Sequence, residues 1–277
     1  MFSSNIASGV QLTKSRNTRK PAVAGQFYPL DPQELTSQIK DLFAASRLCQ
    51  ASQVKAIIVP HAGYIYSGEV AASAYLTLIP QMHKIKRVIL LGPAHRVGFH
   101  GLATTSANYY STPLGDVAID RAAIDVIQSL PQVVNLDRAH THEHSLEVQL
   151  PFLQNLLDEF ALVPLVVGDC NSQQVAEVLE LLWGGEETLI VISSDLSHYN
   201  SYDDAVKQDR KTSHSIINMQ PENIEFDDAC GRIPIKGLLM VAEQHKLKPQ
   251  QIDLKNSGDT AGSKDRVVGY GAYIFSQ

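Results

Sequence analysis

Three apolar runs constrain the fold of this chain more than any other feature of its sequence. Residues 56–59, 88–91 and 189–192 are each continuous runs of aliphatic residues, without the polar alternation of a half-exposed strand. Such runs are typical of parallel strands that are covered by helices on both faces. Helical patterns follow the runs, so the sequence predicts an α/β protein: a single-domain α/β/α sandwich around a central mixed, largely parallel sheet.

Apolar periodicity and capping signals predict the remaining elements. Asp31 followed by Pro32 indicates the start of a helix. Pro151 is expected to kink or break the helix that contains it. The other helices are predicted at residues 69–79, 120–130, 145–157, 173–183, 202–219 and 235–245, and further strands at 162–167, 253–257 and 267–275.

The sequence predicts a flexible N-terminal tail at residues 1–18 and one domain at residues 19–277, because no linker-like segment interrupts the apolar elements. The first 20 residues contain four basic residues and no acidic residue. They lack the apolar centre of a secretory signal, which leaves a loosely held tail or an organelle-targeting segment.

Composition and missing motifs exclude several classes of function. The chain has 23 basic and 29 acidic residues, a formal charge of −6 and no dense basic stripe, so neither nucleic acid nor an anionic membrane is expected as a partner. No apolar stretch reaches the ~18 residues of a membrane span. Cys49, Cys170 and Cys230 are widely spaced and odd in number, which favours a reducing, cytoplasmic location. Nucleotide-binding and hydrolase motifs are absent, so no nucleotide cofactor is expected.

Each apolar run ends at a turn that carries a histidine. His61 and His95 follow the first two runs, and Asp195 and His198 follow the third. Because the carboxyl ends of parallel strands lie at one edge of a sheet, we expect these side chains to meet there in a metal or acid–base site. The alternatives are histidines that satisfy loop carbonyls and an Asp195 or Ser197 that caps the next helix.

Cys230 is the cysteine with the strongest functional signal. Ala229 and Gly231 are small neighbours that leave its sulfur approachable, and Arg232 is expected to lower its pKa. With the histidine pair it makes a His2Cys ligand set conceivable for zinc, iron or copper. The alternative is an inert buried thiol.

Residues 140–147 contain the densest cluster of titratable groups. His140, His142 and His144 alternate along it, next to Glu143 and Glu147. The spacing does not match the His-Glu-x-x-His zinc motif. A surface cluster and a functional cluster both remain open.

Six motifs in this order resemble the Memo family, in particular the prokaryotic protein B of the AmmeMemoRadiSam system. The resemblance covers essentially residues 19–275. The motifs are RKPAVAGQFYP at 19–29, PHAGYIYSG at 60–68, LGPAH at 91–95, EHSLE at 143–147, SSDLSH at 193–198 and GYG at 269–271.

The resemblance implies a fold like that of the class III extradiol dioxygenases, with metal ligands at His61, His95 and Cys230. It places Asp195 and His198 in the same pocket, as catalytic residues. The dioxygenases use two histidines and a glutamate, and a cysteine in place of that carboxylate favours redox chemistry over simple oxygen activation. We therefore expect Fe(II) or Cu, with zinc less favoured.

Three functions follow as hypotheses. The first is a metal-binding redox or dioxygenase-like protein. The second is a non-catalytic adaptor that binds a peptide or small ligand in the same cleft. The third and weakest is a zinc hydrolase with Asp195 as base. The expected partners are a small-molecule or peptide ligand and, by the family resemblance, a radical-SAM protein and an AMMECR-type protein.

Overall fold

The computed structural model of the protein describes residues 17–46, 49, 51 and 53–277. The predicted tail therefore lies outside the described residues as far as residue 16. Within the described chain, twelve strands form one sheet. In chain order the strands are β1 (Thr18–Arg19), β2 (Val54–Val59), β3 (Arg87–Pro93), β4 (Leu102–Thr104), β5 (Tyr109–Thr112), β6 (Gly115–Ile119), β7 (Val133–Asn135), β8 (Ala161–Val167), β9 (Thr188–Ser193), β10 (His198–Asn200), β11 (Lys248–Asn256) and β12 (Val267–Ser276).

Eight α-helices flank the sheet in the described residues. They are α1 (Pro32–Ala45), α2 (Tyr64–Leu76), α3 (Arg121–Ile127), α4 (Asp137–Thr141), α5 (Leu150–Leu156), α6 (Ser172–Leu181), α7 (Tyr202–Ile217) and α8 (Arg232–Gln244). The predicted α/β architecture with a mixed, largely parallel sheet is confirmed. Over the described residues, no helix has both the length and the apolar character needed to cross a membrane.

The centre of the sheet is parallel and its flanks are mixed. The strand order is β1-β5-β6-β8-β3-β9-β2-β12-β10, and β8, β3, β9 and β2 are parallel neighbours. From β2 through β9 to β3 their aliphatic side chains are buried, as expected for strands covered on both faces. Because these strands are parallel, they all end at one side of the sheet, which we call the carboxyl edge. It is marked by Val59, Pro93, Val167 and Ser193.

Some elements differ from the sequence-based prediction. Strands β4 to β7 and β10 were not predicted, because each has only three to five residues and shows little of the apolar pattern of a core strand. The predicted helix at 145–157 is interrupted, as Pro151 suggested. A 3-10 turn at Glu147–Gln149 precedes α5, and Pro151 lies in the first turn of that helix, where a missing N–H is tolerated.

A buried ion pair ties the N-terminal motif to the loop before α5. The Arg19 guanidinium pairs with Glu147 and donates hydrogen bonds to the backbone carbonyls of His140 and Glu143. The Tyr28 hydroxyl donates to the same Glu147 carboxylate. These contacts fix the loop that carries Glu143 against the carboxyl edge.

Candidate metal centre

Three predicted ligands converge at the carboxyl edge. His61 follows β2, His95 follows β3, and Cys230 lies just before α8. The candidate ligand atoms of these three side chains all lie within 4.8 Å of one another. Residues separated by up to 169 positions in the chain thus form a His2Cys group that can hold a metal. Asp195 lies beside this group, whereas His198 is not part of it.

The hydrogen bonds of His61 determine which of its nitrogens is free. The Ser193 hydroxyl donates to the Ser145 carbonyl and accepts an N–H from the Gln149 side chain at 2.8 Å. The single proton of the Ser193 hydroxyl is thus already donated to Ser145. In the contact between Ser193 and His61 Nδ1 at 3.1 Å, the imidazole N–H must therefore be the donor. Nε2 keeps its lone pair and faces Cys230 Sγ at 3.3 Å. Burial, together with nearby His95, lowers the pKa of His61 to about 3, so the ring is neutral.

Glu143 fixes the ring of His95 through a hydrogen bond at Nδ1, as Ser193 does for His61. His95 Nδ1 lies 2.9 Å from Glu143 Oε1, and the His95 backbone N–H donates to Oε2. Burial alone would raise the pKa of Glu143, but the hydrogen bond from the His95 side chain and those from the His95 and Ser145 backbone N–H groups lower it to about 2. The carboxylate can only accept, so Nδ1 carries the proton and Nε2 is available as a ligand. A carboxylate that orients a metal-binding histidine in this way is common in metal sites.

The environment of Cys230 differs from the one predicted. Burial, followed by the nearby Asp195, raises the pKa of its thiol to about 12. The expectation of a lowered pKa is wrong, because burial and Asp195 outweigh any effect of Arg232, whose guanidinium lies 4.0 Å over the ring of Phe226. A bound cation would supply the missing positive charge, since a thiol that coordinates a metal loses its proton. The thiol of Cys230 therefore fits a metal site better than a free nucleophile.

Asp195 and His198 occupy different positions at the carboxyl edge. Asp195 Oδ1 accepts the His61 backbone N–H at 2.7 Å, and Oδ2 lies 4.0 Å from His61 Nε2. Burial raises the pKa of Asp195. His198 is half-buried at the start of β10, where it pairs with Val268 of β12. The alternative in which Asp195 or Ser197 caps the next helix is wrong, because Ser201 is the N-cap of α7.

The histidine cluster at 140–144 separates into three environments. His140 is buried, donates Nε2–H to the Ala103 carbonyl at 3.0 Å and contacts the Tyr110 hydroxyl, so its role is structural. His142 is exposed. His144 turns towards the metal group, and its ring centre lies 4.7 Å from that of His95 and 5.4 Å from that of His61.

His95, Glu143 and His144 form a second group with ligand-like spacing. Glu143 Oε1, however, already accepts hydrogen bonds from His95 Nδ1 and from the backbone N–H groups of His144 and Ser145, and Oε2 accepts from the backbone of His95. Both carboxylate oxygens are thus used in holding the loop. We interpret this second group as support for His95 and not as a second metal site.

A cleft of about 350 Å³ opens beside the metal group and reaches its His95 and Cys230 side. Residues 93–99, 167–170, 230 and 232–234 contribute to its walls. Cys170 lies in this wall but outside the ligand group, and burial followed by nearby Asp169 raises its pKa to about 11. A ligand in the cleft would therefore contact two of the three candidate metal ligands.

The donor set fits a transition metal. Each of the two imidazoles is fixed by a hydrogen bond at Nδ1, which leaves Nε2 as its ligand atom, and the third donor is a sulfur. Imidazole and thiolate are ligands for iron, copper and zinc, whereas Mg²⁺ and Ca²⁺ prefer oxygen. The fold and this site define the class: an α/β protein with a His2Cys group that can hold a metal at the carboxyl edge of its sheet.

Comparison with known proteins then gives the family. The model of the family described as Memo-like protein matches residues 19–274, so the chain belongs to this family. A MEMO1 family protein of Metallosphaera sedula is 36% identical, with 93% of this chain and 99% of the relative covered. One from Aquifex aeolicus is 37% identical, with 93% and 98% covered. The predicted family is thereby confirmed over nearly the whole chain.

One solved structure shows a likeness in fold alone. The crystal structure of an uncharacterized protein from Escherichia coli K12 matches with a TM-score of 0.50 at 11% sequence identity. The match covers 79% of this chain and 99% of that chain.

Sequence reasoning missed the residues that orient the ligands. Ser193, Gln149 and Glu143 fix the two histidine rings, and His144 adds a third imidazole beside them. Glu143 and His144 belong to the dense titratable cluster at residues 140–147, but spacing alone does not separate them from His140 and His142. Gln149 carries no sequence signal, because its role depends on a contact with Ser193 across 44 residues.

Proposed function

We propose that the protein is a metal-dependent redox protein, with a dioxygenase-like site that holds Fe(II) or Cu through His61, His95 and Cys230. The observation that carries the proposal is the fixed orientation of both histidines around the cysteine sulfur. A soft sulfur donor among imidazoles supports Cu or Fe over hard cations. Zinc is less favoured but remains a measurable competitor.

The remaining residues supply proton handling. When bound, the metal supplies one-electron chemistry, and the protein provides orientation and protons. Asp195 is proposed as an acid–base group, because burial raises its pKa and Oδ2 lies 4.0 Å from His61 Nε2. His198 is proposed as a second acid–base group, since a half-buried imidazole at this edge can exchange protons with solvent.

A second candidate function uses the same cleft without catalysis. The cleft of about 350 Å³ beside His95 and Cys230 also supports a protein that binds a small or peptide ligand as an adaptor. A radical-SAM protein and an AMMECR-type protein remain proposed partners, on the family resemblance alone.

The test is a metal-binding measurement on purified wild-type protein and on His61→Ala, Cys230→Ala and Cys170→Ala variants. Each is loaded anaerobically with Fe(II), Cu(I) or Zn(II) and analysed for bound metal after desalting. We expect about one equivalent of Fe or Cu in the wild type and in Cys170→Ala, since Cys170 lies outside the ligand group. His61→Ala and Cys230→Ala should lose the metal, because each removes a ligand.

Two results would contradict the proposal. Retention of metal by Cys230→Ala at the wild-type level would remove the sulfur from the ligand set. Binding of zinc alone, or of no metal, would exclude redox chemistry at this group and favour the adaptor.

A further inference from the structure

The cleft beside the metal group is lined by positive charge in a chain that is acidic as a whole. Arg96 and Arg232 both line it, together with His95 and Cys230, whereas the whole chain has a formal charge of −6. The one carboxylate in the lining, Asp169, lies 3.1 Å from His100 Nδ1. Two arginines against one histidine-paired aspartate give a cleft that attracts anions.

Neither arginine has a carboxylate partner among the described residues. By contrast, Arg19 pairs with Glu147 and Arg87 pairs with Asp120. Arg232 is held instead by the face of Phe226, with its guanidinium carbon 4.0 Å from the ring centre. Stacking of this kind orients the guanidinium plane and leaves its N–H edge free for a ligand.

We propose that the substrate of this site is a small molecule with a carboxylate or phosphate group, which Arg96 and Arg232 bind. The inference rests on the proposed function, because it takes the metal group as the reactive centre. A guanidinium matches carboxylate and phosphate oxygens with two parallel hydrogen bonds. Because Arg96 directly follows His95 in the chain, an anion bound there places the rest of the molecule beside the metal group.

The size of the cleft limits what can enter it. Its volume of about 350 Å³ lies at the lower end of the range for small-molecule sites, about 300–1,000 Å³. A metabolite-sized molecule fits this space, whereas a folded protein partner would need an open surface. The volume therefore favours a small anionic substrate over a folded protein.

Calorimetric titration with inorganic phosphate and with benzoate tests the inference. The protein is first freed of metal and measured at constant ionic strength, as wild type and as Arg96→Gln, Arg232→Gln and the double variant. Arg138→Gln is the matched control, since Arg138 is exposed, outside the cleft and without an ion pair to any described residue. We expect wild-type binding of at least one anion and about a tenfold rise in Kd for each cleft variant, the loss typical of one charge-assisted contact. The control should bind as the wild type does.

The identity of the tighter anion distinguishes a phosphate-bearing from a carboxylate-bearing substrate. The inference is overturned if neither anion binds the wild type, or if the double variant binds like the wild type. It is also overturned if a phosphorylated peptide binds and both small anions do not.

Metal binding by the same variants separates this inference from the proposed function. The arginine variants should take up metal as the wild type does, since neither arginine belongs to the ligand group. Arginine-dependent anion binding in a protein that takes up no metal would leave the cleft assignment standing and remove the redox function.

Discussion

At the scale of single residues, the candidate metal centre depends on where two protons are held. Different neighbours fix the rings of His61 and His95. The Ser193 hydroxyl, whose own proton goes to the Ser145 carbonyl, accepts the Nδ1–H of His61, and the Glu143 carboxylate accepts that of His95. In both rings Nδ1 is the donor and Nε2 is the available ligand. Metal binding at this group would therefore depend also on side chains that are not ligands themselves, as is general for such sites.

Replacement of Glu143 by Gln tests this dependence. The amide still accepts one hydrogen bond, but it loses the charge and one of its two acceptor oxygens, so His95 is held less firmly. We expect metal affinity to fall about 10- to 100-fold, the usual effect of losing such an orienting carboxylate. Affinity is measured by competition with a chelator of known strength.

Glu180→Gln is the matched control for this change. Glu180 also contacts a histidine, His245, at 3.0 Å, but the pair is exposed and remote from the ligand group. Equal metal affinity in Glu143→Gln and Glu180→Gln would show that the carboxylate does not orient His95.

At the scale of elements, the antiparallel strand β12 holds the turn between β9 and β10 in place. Its Gly269 donates its N–H to the Ser197 carbonyl and accepts the N–H of Leu196, both at 2.8 Å. Asp209 of α7 packs directly on this glycine: a Cβ at Gly269 would lie 2.1 Å from Asp209 Oδ2. Gly269, the first glycine of the GYG motif, is thus required for the close packing of α7 and of the turn before β10 on β12.

Gly269→Ala is expected to destabilise the protein, because the added methyl group would overlap the buried Asp209 side chain and would force α7 away from β12. Overpacking of this kind costs about 1–3 kcal/mol, measured as a change in the free energy of unfolding in urea. Gly98→Ala is the control, since no atom lies within 4 Å of a Cβ added there. If both variants unfold at the same urea concentration, the close packing at Gly269 does not contribute to the free energy of unfolding.

At the scale of the whole molecule, the stability of the fold depends on the protonation of a buried carboxyl group, that of Asp209. Asp209 is buried between α7, β12 and the turn before β10, where it accepts the Ser197 backbone N–H at 3.0 Å. Burial raises its pKa to about 6, although that hydrogen bond and the charge of His198 oppose the rise, and Asp228 adds to it. The folded protein therefore binds this proton more tightly than the unfolded chain does.

The sign of the resulting pH dependence follows from linkage. Between pH 4 and 6 the folded state holds more protons at Asp209 than the unfolded state, so stability decreases as pH rises. The contribution is complete below about pH 4 and is lost above about pH 6, and it amounts to about 1–3 kcal/mol. The free energy of unfolding of wild type minus that of Asp209→Asn, measured in urea at pH 4 and pH 7, should fall by this amount. A difference that is the same at both pH values would contradict it.

The main elements were predictable because burial leaves a strong local pattern. The runs that became β2, β3 and β9 are aliphatic throughout, and Pro151 marked a helix interruption by its missing N–H. The short strands β4 to β7 were not predictable in this way, because their pairing partners and not their own composition hold them in the sheet.

The sequence by itself determined the fold class, the family and the strand ends at which His61 and His95 would lie. These follow from local hydrophobicity and from motifs whose order is visible in the chain. Only the tertiary structure decided that Cys230 lies 3.3 Å from His61, that Glu143 orients His95, and that burial raises the pKa of the Cys230 thiol. The reason is physical: proton positions and thiol ionisation depend on burial and on contacts between distant segments, which a linear sequence does not record.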